Sequence, residues 1–202
     1  MAKWDTLADK AIVEKTMAAL LANGIMSYYV ENGAEAKKKF FELLPAGAEV
    51  MNNSSTTLVQ LGIADELTKP DKYNSVRNKL MAMDRKTQGR EMQKIGSAPE
   101  WSVGSVHAIT EDGHIMIASA SGSQLPGYAF GADHIIWIAG TQKLVKNLDE
   151  GNKRLYEYVL PLENIRAMKA YGSPSSVNKL LIINKDPAKR ISLILVNEVL
   201  GF

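Results

Sequence analysis

The chain has 202 residues, with Lys+Arg 24 against Asp+Glu 22, a net charge of +2, 46% hydrophobic and 23% charged residues. This length suits one domain over residues 1–202 and can bury a core, while the near-neutral balance supplies no basic field of the kind nucleic-acid binders carry. No cysteine is present, which excludes disulfides, thiolate zinc sites, a resident iron–sulfur cluster and a cysteine nucleophile, and no apolar stretch is long enough for a signal peptide or a membrane span, so a cytoplasmic location is expected.

In chain order, residues 5–22 place Leu7, Ala8, Ala11, Ile12, Met17, Leu20 and Leu21 near helical period. Asn23 and Gly24 then stop the helix, since glycine relieves the left-handed position past a helix end. Ile25–Val30 reads as a strand ending at Glu31. Ala34–Leu44 reads as a helix closed by Pro45, with Lys37, Lys38 and Lys39 on its wet side. Ala48–Met51 is a short strand that runs into Asn52, Asn53, Ser54, Ser55, Thr56 and Thr57, where a further helix begins. These residues are good N-caps. Free amides at the helix start, with the Ser54, Ser55 and Thr56 hydroxyls, could also hold an anion at this strand-to-helix loop. Both readings stand.

Tyr73–Gly96 is long, polar and helix-compatible, carrying Arg77, Lys79, Arg85, Lys86, Arg90 and Lys94. It reads as a peripheral charged helical insert, with a lid or docking arm as the alternative. Ser105–Thr110 and His114–Ala120 flank a Glu111-Asp-Gly113 turn, and Asp-Gly between β-rich runs is a strong hairpin signal. The small-residue loop Ser119–Gln124 and a helical turn through Tyr128–Ala132 follow, before the apolar strand His134–Ala139. Helical material is expected from Leu144 to Leu160, and a separate helix from Leu162 to Tyr171 with Pro161 in its first turn. Leu180–Asn184 and Ile191–Val196 close the chain as strands that are apolar on both faces, as strands covered by helices should be. Alternation of helix and strand favours an α/β sheet.

Three polar strand-end loops recur in this order. Besides Asn53–Thr56, they are Gly122, Ser123 and Gln124, and then Gly140, Thr141, Gln142 and Lys143. In an open α/β sheet, ligands bind outside the carboxyl ends of strands, so the set points to a pocket for a small anionic metabolite. Glu31 and Glu111 are candidate acid–base or nucleophilic carboxylates, and Lys179 is a further candidate. No metal site is expected: His107, His114 and His134 lack ligand spacing and an acidic cluster. Neither a Gly-x-Ser-x-Gly elbow, a Walker loop nor a Gly-x-Gly-x-x-Gly fingerprint occurs.

Gly104–Gly113 (GSVHAITEDG), Ser119–Gln124 (SASGSQ), Gly131–Asp133 and Ser175–Ile183 (SSVNKLLII) resemble the lactate-utilisation (LUD) domain family, which includes the lactate-utilisation C proteins. The likeness runs from about Asn23 to Phe202. It implies a Rossmann-like sheet flanked by helices, similar to the ribose-5-phosphate isomerase, glucosamine-phosphate deaminase and CoA-transferase group. It also implies a link to oxidation of lactate to pyruvate beside iron–sulfur partner proteins. With no cysteine here, the electron carriers would belong to those partners. The expected function is therefore binding of a small anionic metabolite as an accessory of organic-acid utilisation. A free-standing isomerase- or CoA-transferase-like enzyme using a glutamate is one alternative, and an interaction protein docking through 73–96 another.

Overall fold

Side chains on a strand alternate between faces, so a strand apolar throughout needs cover on both sides. The computed structural model describes residues 4–202; residues 1–3 of the expected domain lie outside the described residues. The chain opens with α1 (Lys10–Ala22), β1 (Met26–Val30), α2 (Gly33–Leu43), β2 (Glu49–Asn52), α3 (Thr56–Gln60) and α4 (Ile63–Thr68). Next come β3 (Asn74–Ser75), α5 (Val76–Met81), α6 (Arg85–Ser97), β4 (Trp101–Gly104), β5 (Ala108–Thr110) and β6 (Ile115–Ser119). A π-helical turn at Gly127–Gly131 precedes β7 (His134–Gly140), a 3-10 turn at Thr141–Lys143 and β8 (Leu144–Val145). The last elements are α7 (Leu148–Arg154), a π-helical turn at Leu155–Val159, α8 (Leu160–Tyr171), β9 (Lys179–Ile183) and β10 (Ile191–Val196).

Two sheets result. The larger is wholly parallel, in the order β1-β10-β7-β4-β2-β3, and the smaller is mixed, in the order β8-β5-β6-β9. The large sheet is a Rossmann-like α/β sheet, and alternation in its central strands divides the core. Ile136 and Ile138 of β7 and Ile194 and Val196 of β10 pack with Phe40 of α2, Leu58 of α3 and Ile63 and Leu67 of α4. Ile135, Trp137, Leu193 and Leu195 turn the other way, toward Val13 and Leu20 of α1 and toward Ile109, Ile115 and Ile117 of the small sheet. The opposite face of the small sheet, Ala108 and Met116, packs on Leu155 and Val159. Gly151 makes that approach possible, since a Cβ there would meet Met116 Sδ at 2.2 Å. No helix among the described residues is long and apolar enough to cross a membrane.

Several expectations change in this frame. The N-terminal helix starts at Lys10 rather than residue 5. The 73–96 segment is not purely a helical insert: Asn74–Ser75 is the edge strand of the large sheet, and two helices follow. Ser105–Thr110 is not one strand, because the chain leaves the large sheet at Gly104 and joins the small one at Ala108. Residues 144–145 form a short strand before the helix. Pro161 does not open a separate helix; the π-helical turn joins α7 to α8 continuously, and widening of this kind absorbs the hydrogen bond proline cannot donate. Finally, β9 pairs only with β6 at a sheet edge, and Leu180 and Ile182 are exposed, so it is not a strand covered on both faces.

Candidate functional site

All strands of the large sheet are parallel, so β2, β4 and β7 deliver their carboxyl ends to one side. Beyond β2, the Asn53 amide donates to Val103 O (2.9 Å), and its side chain donates to Ser102 Oγ (3.0 Å). Ser55 caps α3 by accepting from the Leu58 amide. Beyond β4, residues 105–107 cross to the small sheet. Beyond β7, residues 141–143 make the same crossing. The two crossings are tied by one side chain, because Lys143 Nζ donates to Ser105 Oγ (3.0 Å) and Val106 O (3.2 Å) and lies 3.4 Å from Thr57 Oγ1.

A cleft of about 1200 Å³ opens above these loops. Its floor holds Thr57, Ser105, Val106, His107, Tyr128 and Lys143. One wall is Asn52–Thr56 with Arg77, Met81 and Arg85 from α5 and α6; the other is Ala118–Ser121 with Ser123, Gln124, one side of α8 from Leu160 to Tyr171, and Ser173–Val177. Gly104 lets the floor close up, since a Cβ there would come within 2.1 Å of the Tyr128 hydroxyl oxygen.

The expected site residues divide. Asn53, Ser54, Ser55, Thr56, Ser123, Gln124 and Lys143 all line this cleft. Gly122 adjoins it in a left-handed turn (φ 87°), its amide donating to Ser119 Oγ at 2.8 Å. Gly140 and Thr141 lie outside. A Cβ on Gly140 would meet Glu198 O at 2.2 Å, and the Thr141 hydroxyl is buried without a partner among the described residues. Both glutamates also lie outside the cleft: Glu31 accepts from Asn197 Nδ2 (3.2 Å), and Glu111 pairs with Lys15 (2.7 Å). Lys179 is exposed and donates to Ala120 O at 3.4 Å. The histidines disperse. His134 stacks on Trp101 with ring centroids 4.3 Å apart, His114 sits by the hairpin turn, and His107 is on the floor. Among the described residues no group of three potential metal ligands forms.

Electrostatically the floor is unusual. Lys143 is 2% exposed, and among the described residues its Nζ meets only uncharged oxygens. Burial first, and the Arg154 charge second, push its pKa well below the ordinary lysine value. His107 is half-buried and its Nδ1 accepts from the Ala118 amide (3.1 Å). Its single ring proton therefore sits on Nε2. Burial, helped by Lys143 and Arg154, lowers its pKa to about 3, so it is a neutral donor. Arg154 is fully buried behind the floor, donates to His107 O (2.6 Å) and lies over the Tyr158 ring. Burial brings it down to about 10, against the opposing pull of Tyr158 and Asp5, so it stays cationic. Burial also raises the Tyr128 hydroxyl.

Ser105, Tyr128 and Arg154 escape a sequence reading, whereas Thr57 and Arg77 appear in it only as members of the capping run and of the charged segment. His107 left a trace as a polar residue inside the run SVHAIT. Arg154 looked like an ordinary basic residue at a helix end.

A family model described as the LUD domain matches residues 13–196. No curated protein matches the chain. Among solved structures, the crystal structure of a DUF162 family protein from Deinococcus radiodurans is similar at 14% identity and a TM-score of 0.57, covering 95% of this chain and 99% of that one. Its likeness concerns the fold alone.

Proposed function

The chain belongs to the LUD domain family, which is associated with lactate utilisation, and on that premise we propose that its cleft binds a small anionic metabolite as an accessory component of organic-acid utilisation in the cytoplasm. Electron carriers, in this reading, reside on iron–sulfur partner proteins, since the chain has no cysteine.

One observation carries the proposal: cations outnumber carboxylates on the cleft and none of its carboxylates is on the floor. Arg77, Arg85 and Arg166 face Asp65 and Glu163, and Glu163 is already taken by a two-pronged bond to Arg166 (2.6 and 2.7 Å). Arg77 is the best placed to meet an anion. It is half-buried, reaches the Asn52 carbonyl and Ser54 Oγ only at 3.4 Å, and has no carboxylate partner among the described residues. A ligand carboxylate would offer it shorter, charge-assisted bonds. The loops bring uncharged donors to the same space, which fix orientation rather than affinity.

Calorimetric titration of the full chain with lactate, pyruvate, sugar phosphates, nucleotides and CoA esters tests this. At least one should bind, and Arg77→Gln should weaken it by about tenfold, the loss of one hydrogen bond to a charged group. A screen empty across every class would sink the proposal.

A further inference from the structure

We propose that Lys143 is an amine nucleophile that condenses with the keto carbon of an α-oxo acid held in the cleft, forming an imine. This rests on the anion-binding reading of the same cleft and names the class of ligand it would take.

The carrying observation is how Lys143 is held. Burying an ammonium costs its hydration, and neutral acceptors repay less of that cost than a carboxylate does. Here its contacts are Ser105 Oγ, Val106 O and Thr57 Oγ1, all uncharged, no carboxylate meets it among the described residues, and the charge that acts on it is the cation Arg154. The free base fits this cage. Ser105 spends its own hydrogen on Ile138 O at 2.7 Å, so its oxygen can accept one amine hydrogen while Val106 O accepts the other. The third contact, to Thr57 Oγ1, is 3.4 Å long, and the Thr57 hydroxyl has Ser105 Oγ (3.3 Å) and Leu200 O (3.4 Å) to donate to, so it places little demand on the amine lone pair. The lone pair is the most loosely engaged part of the group, and the residue lines the cleft.

His107 completes the arrangement. It follows directly on Val106, whose carbonyl takes an amine hydrogen, and its neutral Nε2–H is a donor suited to an oxygen that gains negative charge. It cannot take up a proton there, because Nδ1 is occupied by the Ala118 amide. The step therefore balances without it. Lys143 Nζ forms a bond to the keto carbon, and the C=O π pair moves onto oxygen, held by the His107 donor. One proton passes from nitrogen to that oxygen through solvent or a floor hydroxyl, giving a carbinolamine. Loss of one water then leaves the C=N bond. No oxidant, metal or carboxylate base is required. A 2-hydroxy acid has no electrophilic carbon at this position and would bind without reacting.

Reduction with cyanoborohydride distinguishes these cases in the intact chain. Pyruvate, the simplest stable α-oxo acid, should leave a mass increase of one pyruvate less water plus two hydrogens, and peptide mapping should place it on Lys143. At pH 7 Lys143 should be modified at least about tenfold faster than any exposed lysine, since each unit by which a pKa falls raises the free-base fraction tenfold. Lactate should bind in calorimetry and leave no adduct, and Lys143→Met should show with pyruvate only the slow, scattered modification of exposed lysines. Because peptide mapping uses the unaltered protein, the result stands even if that variant folds poorly. An adduct spread evenly over exposed lysines, or none where calorimetry still records pyruvate binding, overturns the imine and leaves the binding reading intact. No binding of either acid and no adduct overturns the imine, and the binding reading falls with it when the other ligand classes fail to bind as well.

Discussion

Strands β9 (KLLII) and β10 (ISLILV) are built from the same residue types, yet one is nearly bare and the other wholly interior. In β10, five of six residues are buried, because β1 and β7 flank it and helices cover both faces. In β9 only Ile183 is buried, because β6 is its sole neighbour and the sheet ends there. A lysine opens β9, and charge on an edge strand discourages further pairing. Local composition thus decides that a segment is extended; position in the sheet decides what that extension does. The same division holds for the sheets as wholes. The large one presents loop amides and a buried amine at its strand ends, and the small one supplies the facing wall.

Substitution in the two strands breaks this comparison most sharply. Leu193→Ala, at 0% exposure, should cost about 2–5 kcal/mol in chemical denaturation, as truncated core leucines do. Leu180→Ala, at 39% exposure, should cost less than about 1 kcal/mol. Equal losses at both sites would show that β9 is covered in solution.

Lys143 lies where the chain passes from one sheet to the other, and its effect should be read against pH. The unfolded chain keeps the lysine protonated toward its ordinary value of 10.5, whereas the folded amine gives up its proton well below that. Between the two values the unfolded state binds the extra proton, so stability contributed here is lost as pH falls and gained as pH rises. Denaturation midpoints of the wild type should climb from pH 7 to pH 9 relative to Lys143→Met, by at most about 1.4 kcal/mol per pH unit. Parallel pH profiles would mean that the folded lysine stays charged.

The smallest effects belong to the two glutamates outside the cleft, one beside each sheet. Glu111→Gln removes a pair with Lys15 that is largely in solvent, and should shift stability by no more than about 1 kcal/mol. Neither Glu111→Gln nor Glu31→Gln should alter ligand affinity in calorimetry. A lost titration signal in either would return a carboxylate to the site.

The sequence by itself determined most strands and helices, because apolar period, Asn23-Gly24, Pro45 and Asp112-Gly113 act within a few residues. It also marked Asn53–Thr56, Ser123, Gln124 and Lys143 as polar strand-end residues, and these line one cleft. Other features needed the tertiary structure. Two sheets rather than one arise because the chain breaks at Ser105–His107 and again at Thr141–Lys143, and nothing local distinguishes a strand that continues from one that changes sheets. The same packing sets Glu31 and Glu111 apart from the cleft, buries Arg154 behind its floor, and leaves Lys143 2% exposed with no carboxylate partner among the described residues. A side chain's chemistry in water is written in its residue type; its chemistry in the fold depends on desolvation and on neighbours that come from distant segments.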